Sequence, residues 1–187
     1  MLRNTQSSWG VVARVFHWGL ALLILGLFAY GLWMKEFPAR EDRAYHYVIH
    51  ASVGISILAL MVLRVIWRAM NPTPLPPAGS AKWEITAASL GHLGLYAAVF
   101  GATIAGWFLA GSGKRELYFY LFGVVPMTTP LGTESPYHGF LEEAHELLAY
   151  GVIALVVVHV AAAIWHQRAK RDGLMARMTS GKPSATI

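Results

Sequence analysis

Two histidines lie inside an otherwise apolar stretch near the end of the chain, and their spacing is chemically informative. His145 and His159 fall within residues 141–167 and are 14 residues apart. On an α-helix this spacing returns to within about 40° of the same face, roughly 21 Å further along the axis. Ionisable side chains within an apolar span are rare and usually functional. The pattern favours two axial ligands for two stacked haems. The alternative is a pair of incidental histidines, packed and hydrogen-bonded in a helical bundle.

The composition indicates a membrane protein. Of the 187 residues, 56% are hydrophobic and 13% are charged, and the mean hydropathy is +0.46; an ordinary soluble domain is less apolar. The chain has no cysteine, which excludes disulfides, thiolate catalysis, iron–sulfur clusters and haem attached covalently through cysteine. The formal net charge is +5. Because the basic residues cluster at the ends of apolar segments, the bilayer explains them better than nucleic acid does.

Four apolar segments are long enough to cross a bilayer as helices. They cover about residues 11–33, 46–67, 87–110 and 142–167. The first has the basic residues of a signal peptide before it, but it is longer than a signal core and lacks a good cleavage site. The predicted fold class is therefore all-α, with one integral membrane domain over residues 1–187 built as a four-helix bundle.

The longest connection, residues 111–140, contains the apolar and aromatic sequence LYFYLFGVVPM. This sequence is too short to span a bilayer. We expect an interfacial or re-entrant segment that lies over the mouth of the bundle.

The basic residues assign a direction to the spans. Ten lie in the N-terminus, the second loop and the tail, whereas the first and third loops hold only five: Lys35, Arg40, Arg43, Lys114 and Arg115. Cytoplasmic loops carry the excess of lysine and arginine, so both termini are predicted to be cytoplasmic.

Knowing the direction of each span sorts the histidines by depth. His17 and His159 fall at the cytoplasmic level, whereas His50 and His145 fall at the outer level. Two bis-histidine sites follow, and iron with both axial positions filled suits electron transfer better than oxygen activation. Gly54, one turn after His50, would let a porphyrin approach the helix backbone, although simple helix packing explains it nearly as well.

Four histidines remain outside this assignment. His92, on the third span, is the main alternative to His17 as a haem ligand. If His17 is the ligand, we expect His92 to be a hydrogen-bonded core residue. His46 is a weaker alternative ligand on the second span, and His138 has the sequence context of a surface loop. His166 lies at the cytoplasmic interface, where it would bind a quinone carbonyl or simply extend its polar ring to the interface beside Trp165.

An ordered set of motifs resembles the bacterial cytochrome b561 family of membrane di-haem proteins. The motifs are RVFHW, FPAREDRAYHYVIHASVGISILALMVLRVIWR, NPTP, LGHLGLY, LYFYLFGVVPM and AHELLAYGVIALVVVHVAAAIWHQ. The resemblance implies two b-type haems on His17, His50, His145 and His159, and a multi-pass protein of the bacterial inner membrane. It implies no nucleic acid and no obligate protein partner.

Within that family the likeness is most specific to members that pass electrons from outer-face superoxide through the haems to ubiquinone. Superoxide is a small anion, so the five loop cations named above would steer it, unless they pair with Glu36, Glu41, Asp42 and Glu116 as a solvated rim. Ubiquinone would be reduced near His166, with Arg64 or Arg68 as polar partners. Two other functions stay open: a di-haem cytochrome or subunit carrying electrons from quinol to an outer acceptor, and a helical anchor without haem.

Overall fold

The computed structural model describes residues 1–113, 119–122, 124–127 and 130–182. Four long helices account for most of them: α1 (Val11–Glu36), α2 (Arg43–Ala69), α3 (Lys82–Leu109) and α4 (His138–Trp165). All four are long and apolar enough to cross a membrane. The predicted all-α architecture with four spans is confirmed.

Three short elements complete the described chain. A two-stranded antiparallel hairpin, β1 (Phe119–Leu121) and β2 (Val125–Met127), lies between α3 and α4. A π-helical turn (His166–Lys170) continues α4, and a short helix α5 (Leu174–Thr179) ends the described fold.

The helices pack in chain order, α1 against α2, α2 against α3 and α3 against α4. At one end, called the termini end, lie the start of α1, the end of α2, the start of α3 and the end of α4. The opposite end, called the loop end, carries the hairpin. Small residues on α3 permit its close contact with α4: at Gly101, an added Cβ would lie 3.1 Å from Leu148 Cδ1.

A small apolar core fills the middle of the bundle. Its fully buried members come from all four helices: Leu20, Ile57, Met61, Ala98, Val99 and Val152. Many other large apolar side chains point outward and are exposed, such as Leu22 at 72% and Leu147 at 74%. An outward apolar surface on long helices is what lipid contact requires.

The segments at the termini end are joined by hydrogen bonds from polar side chains. The Asn4 side chain donates to the carbonyl of Pro72 (3.1 Å) and accepts from the amide of Gly10 (3.0 Å). Arg177, on α5, is buried and donates to the carbonyl of Leu75 (2.6 Å). The N-terminal segment, the proline-rich connector and the tail therefore form one folded cap.

Candidate functional site

The loop-end pair consists of His50 on α2 and His145 on α4. Their ring centroids are 6.1 Å apart and their planes are nearly perpendicular, at 84°. Two imidazoles bound to one metal have centroids about 6 Å apart, because each nitrogen–metal bond is roughly 2 Å and each nitrogen lies about 1 Å from its ring centre. The spacing of this pair therefore fits one metal atom held between them.

Neighbouring helices shape the space around these two rings. The Nδ1 of His145 is 2.8 Å from the carbonyl oxygen of Ala102, so Nδ1–H donates and Nε2 is left to bind a metal. A Cβ on Gly106 would lie 2.9 Å from the His145 ring, and one on Gly31 would lie 3.0 Å from the His50 ring. The two glycines therefore leave room for the imidazoles.

The termini-end pair consists of His17 on α1 and His159 on α4. Its centroid separation is again 6.1 Å, with 56° between the planes. His92 on α3 also approaches His159, at 5.5 Å and 59°. The structure thus brings three imidazoles together at this level, and both His17 and His92 lie within reach of a shared metal with His159.

The donor set fits haem better than a bare ion. Among the described residues, no group of three or more His, Cys, Asp or Glu side chains is arranged to hold a metal ion. Two opposed imidazoles supply only the axial positions, and a porphyrin supplies the other four. At the loop-end pair, Nδ1 of His50 is buried with no hydrogen-bond partner in the described chain.

The two levels are separated by the apolar core. His145 and His159 are roughly 21 Å apart along α4, and Val152, which is buried, lies midway between them. Phe28 and Tyr150 make an edge-to-face contact, with ring centroids 5.6 Å apart. The core cluster consists of apolar side chains together with the ring of Tyr96.

Two of the remaining histidines have local partners at the loop end. Nδ1 of His46 lies 2.6 Å from the Tyr30 hydroxyl. His138 was expected at the surface, and that expectation is wrong. It begins α4 half-buried, with Nδ1 2.8 Å from Oγ of fully buried Ser112, because the loop folds back onto the end of α3.

The predicted outer cations are only partly assembled. Lys35 pairs with Glu146 of α4 at 2.8 Å, and both side chains are nearly half exposed. Nε of Arg43 donates to the carbonyl of Pro38 (3.4 Å), and Arg40 is exposed on the loop before α2. Lys114 and Arg115 lie outside the described residues. Lys35 therefore has a carboxylate partner, Glu146. Glu146 is not one of the four acids that were predicted to pair with the loop cations.

The predicted interfacial segment is a β-hairpin in its described part. The amide of Phe122 donates to Oγ of Ser52 (3.0 Å), and Ser52 has no exposed surface. Because Ser52 is only two residues from His50, the hairpin lies beside α2 near the level of the loop-end pair. Gly54 faces α1 instead, and its added Cβ would lie 3.8 Å from Leu27.

At the termini end, His166 is held by a carboxylate. Its Nδ1 lies 2.5 Å from Oδ2 of Asp172, whose Oδ1 accepts from the amide of Leu174 (3.0 Å). Lys170 forms an ion pair with Glu84 of α3 beside it. The chain reverses here through Arg171, whose φ of 53° is left-handed, a conformation uncommon for a side chain other than glycine.

Sequence reasoning missed several of these residues. Gly31, Ser52 and Asp172 carry no pattern of their own, because their roles depend on contacts between distant parts of the chain. Gly106 was one of several small residues on α3, with no signal that it faces His145. The sequence predicted the site only through the spacing of the histidines and the order of the spans.

Comparison with known proteins identifies the family. The family model for prokaryotic cytochrome b561 matches residues 8–181. Cytochrome b561 homolog 2 of Escherichia coli K12 is 34% identical over 97% of this chain and 96% of its own length. Cytochrome b561 homolog 1 of the same organism is 30% identical over 69% of this chain and 72% of its own length. The probable superoxide oxidase CybB of Yersinia pestis is 26% identical over 89% of this chain and 92% of its own length. The chain belongs to the prokaryotic cytochrome b561 family of haem-containing membrane electron-transfer proteins, as its motifs predicted.

Proposed function

We propose that this protein holds two b-type haems and carries electrons across a bacterial membrane from superoxide at the loop end to ubiquinone at the termini end. The observation that carries the proposal is the repeated 6.1 Å separation of two histidine pairs, His50 with His145 and His17 with His159. Both pairs share α4, which therefore contributes one imidazole at each level.

Haem iron supplies a reversible one-electron couple when it is bound. The histidine pairs would hold the iron of each haem from the protein, and a haem held by two histidines would supply electron transfer rather than oxygen activation. The Ala102 carbonyl holds the ring of His145 in one tautomer and orientation. An apolar core, with Leu20, Ile57 and Val152 among its buried members, packs between the two levels.

The overall reaction requires two superoxide ions for each quinone. Each superoxide loses one electron and leaves as dioxygen. Ubiquinone gains two electrons and takes up two protons to become ubiquinol. The protein must therefore offer an anion-collecting surface on one side and a proton donor on the other.

Superoxide as the donor is supported by the resemblance to a probable superoxide oxidase at 26% identity and by the loop cations. Because Lys35 is paired with Glu146, Arg40 and Arg43 are the described cations left to attract the anion. Positive potential near the entrance raises the association rate, and salt weakens it. Lys114 and Arg115 are proposed to add to the same surface.

For ubiquinone, His166 is the polar group we favour. Its Nδ1–H is directed at Asp172, so Nε2 can donate to a quinone carbonyl when the ring carries its second proton, and that proton can pass to the reduced quinone. Arg64 and Arg68 were predicted as further polar partners; both contact Tyr96 of α3, and Arg64 also lies near His17 of α1.

A second function is favoured by one observation. The ion pair between Lys35 and Glu146 neutralises a cation at the loop end, and the relatives at 34% and 30% identity are named only as cytochrome b561 homologs. A cytochrome that carries electrons from quinol to another acceptor would need no anion-collecting surface.

Haem content and a superoxide pulse test the proposal. The purified protein should contain two b haems, and His145→Ala should retain one. His17→Ala should also lose one haem, whereas His92→Ala should keep both. The reverse result would identify His92 of α3, instead of His17 of α1, as the ligand. In stopped-flow absorption, superoxide should reduce the protein and ubiquinone should reoxidise it. Haems that stay oxidised after superoxide but are reduced rapidly by ubiquinol would establish the second function instead.

A further inference from the structure

Two arginines on α2 lie against the same tyrosine of α3. The guanidinium carbons of Arg64 and Arg68 are 5.4 and 5.8 Å from the centroid of the Tyr96 ring. The Tyr96 hydroxyl is buried and has no hydrogen-bond partner in the described chain. These three residues, the arginine cluster, combine two cations with an unsatisfied hydroxyl.

The arginine cluster has no carboxylate partner in the part of the chain that the structure describes. The ion pairs found there are Lys35–Glu146, Lys170–Glu84 and His166–Asp172. In the whole sequence, Glu84 and Asp172 are the only acidic residues in the segments of the termini end, and both are already paired. Charged side chains within a membrane span usually pair with another group, and the described residues provide no carboxylate for these two arginines.

A contact between Arg64 and His17 places the arginine cluster at the level of the termini-end pair. Nη2 of Arg64 lies 3.5 Å from Nδ1 of His17. An imidazole that binds iron through Nε2 carries its proton on Nδ1, so it cannot accept a hydrogen bond there. In the haem-bound protein, Arg64 must therefore donate to a different acceptor.

We infer that the arginine cluster binds a propionate carboxylate of the termini-end haem, an inference that rests on the proposed function. Haem b carries two propionates, and a guanidinium binds a carboxylate through two parallel hydrogen bonds. The Tyr96 hydroxyl supplies a further donor. The ligand chemistry is a carboxylate, and a lipid phosphate is the competing anion that the experiment must separate from it.

The arginine cluster also affects the redox potential of the termini-end haem. Reduction lowers the positive charge on iron by one, and a fixed cation nearby favours that reduced form. The arginines therefore raise the midpoint potential at the termini end.

A redox titration of the two-haem protein tests the inference. The termini-end component is identified as the one that His145→Ala retains. Arg64→Gln should lower the midpoint potential of that component alone and reduce its haem retention, whereas Arg64→Lys should preserve most of the potential. Arg168→Gln removes the same charge from an exposed position at the same end and should leave both components unchanged. If Arg64→Gln does not fold, Tyr96→Phe should give a smaller shift in the same direction.

Reconstitution with haem dimethyl ester separates the two anions, because the ester has no propionate charge. With the ester, wild-type protein and Arg64→Gln should retain the termini-end haem equally, because the contact that the substitution removes requires the propionate carboxylate. A difference that persists with the ester, or that occurs only in vesicles containing anionic lipid, would assign the arginine cluster to lipid phosphate and overturn the inference. A protein that binds no haem would overturn the proposed function as well, whereas two haems with potentials insensitive to Arg64→Gln would overturn the inference alone.

Discussion

At the loop end, the space beside each imidazole is created by a glycine on a third helix. Gly31 of α1 faces the ring of His50, and Gly106 of α3 faces the ring of His145. Neither glycine has chemistry of its own. Each fixes how closely a helix approaches a ring, and the ring position decides whether two nitrogens lie opposite each other across one iron.

Gly106→Ala should therefore weaken the loop-end haem without removing a ligand. The added Cβ would lie 2.9 Å from Cε1 and 3.0 Å from Nδ1 of His145, so the ring or α3 must shift. Overpacking of this kind costs about 1–3 kcal/mol, which corresponds to roughly 5- to 150-fold weaker haem binding. Haem titration of the apoprotein, followed by absorption, measures the loss.

Gly91→Ala is the matched control for that experiment. It lies on the same helix, and its added Cβ would meet nothing within 4 Å. It should bind both haems as the wild type does. Equal haem affinity in the two variants would show that Gly106 does not position His145.

Arg40, exposed on the loop before α2, and Arg43, the half-buried first residue of α2, should control the rate of superoxide capture. Arg40→Glu combined with Arg43→Glu reverses two charges at the loop end, so haem reduction by a superoxide pulse should slow and its dependence on salt should weaken or invert. The haem spectrum should be unchanged, because neither arginine contacts a ligand histidine in the described chain. A rate and salt dependence equal to those of the wild type would leave these arginines as a solvated rim.

Among the elements, the hairpin depends on one hydrogen bond to α2 that the sequence does not reveal. Ser52→Ala removes the acceptor for the Phe122 amide. This bond is only partly buried and Phe122 is exposed, so its loss should cost about 1 kcal/mol, and amide hydrogen exchange in β1 and β2 should become roughly 5-fold faster. Ser56→Ala is the control, because its hydroxyl bonds only to the carbonyl of Ser52 within α2. Equal exchange in the two variants would mean that other contacts hold the hairpin.

The helices were predictable from the sequence, whereas the cap and the hairpin were not. Long apolar runs between charged or proline-containing segments predict a span from local composition alone. The buried position of Arg177 depends on a bond to the carbonyl of Leu75, 102 residues away. The short strands of the hairpin likewise depend on Ser52. Such contacts arise only when distant segments meet.

For the candidate site, the depth of each histidine was readable and the identity of each partner was not. Helix periodicity places His145 and His159 on one face, and span direction assigns a level to each. The choice between His17 and His92 depends on side-chain positions at one level, and both rings lie within 6.1 Å of His159. Spacing along the chain carries no information on that choice.

On the scale of the whole molecule, the proposed function requires one orientation in the membrane: the loop end must face the outside. The ten-to-five distribution of basic residues predicts this. The chain has no cysteine, so a single introduced thiol reports its side without interference. Glu41→Cys, between α1 and α2, should react with an impermeant maleimide in intact spheroplasts. Thr73→Cys, in the exposed connector between α2 and α3, should react only after the membrane is opened. The reverse labelling would place His50 and His145 on the cytoplasmic side, where the protein could not collect superoxide from outside the cell membrane.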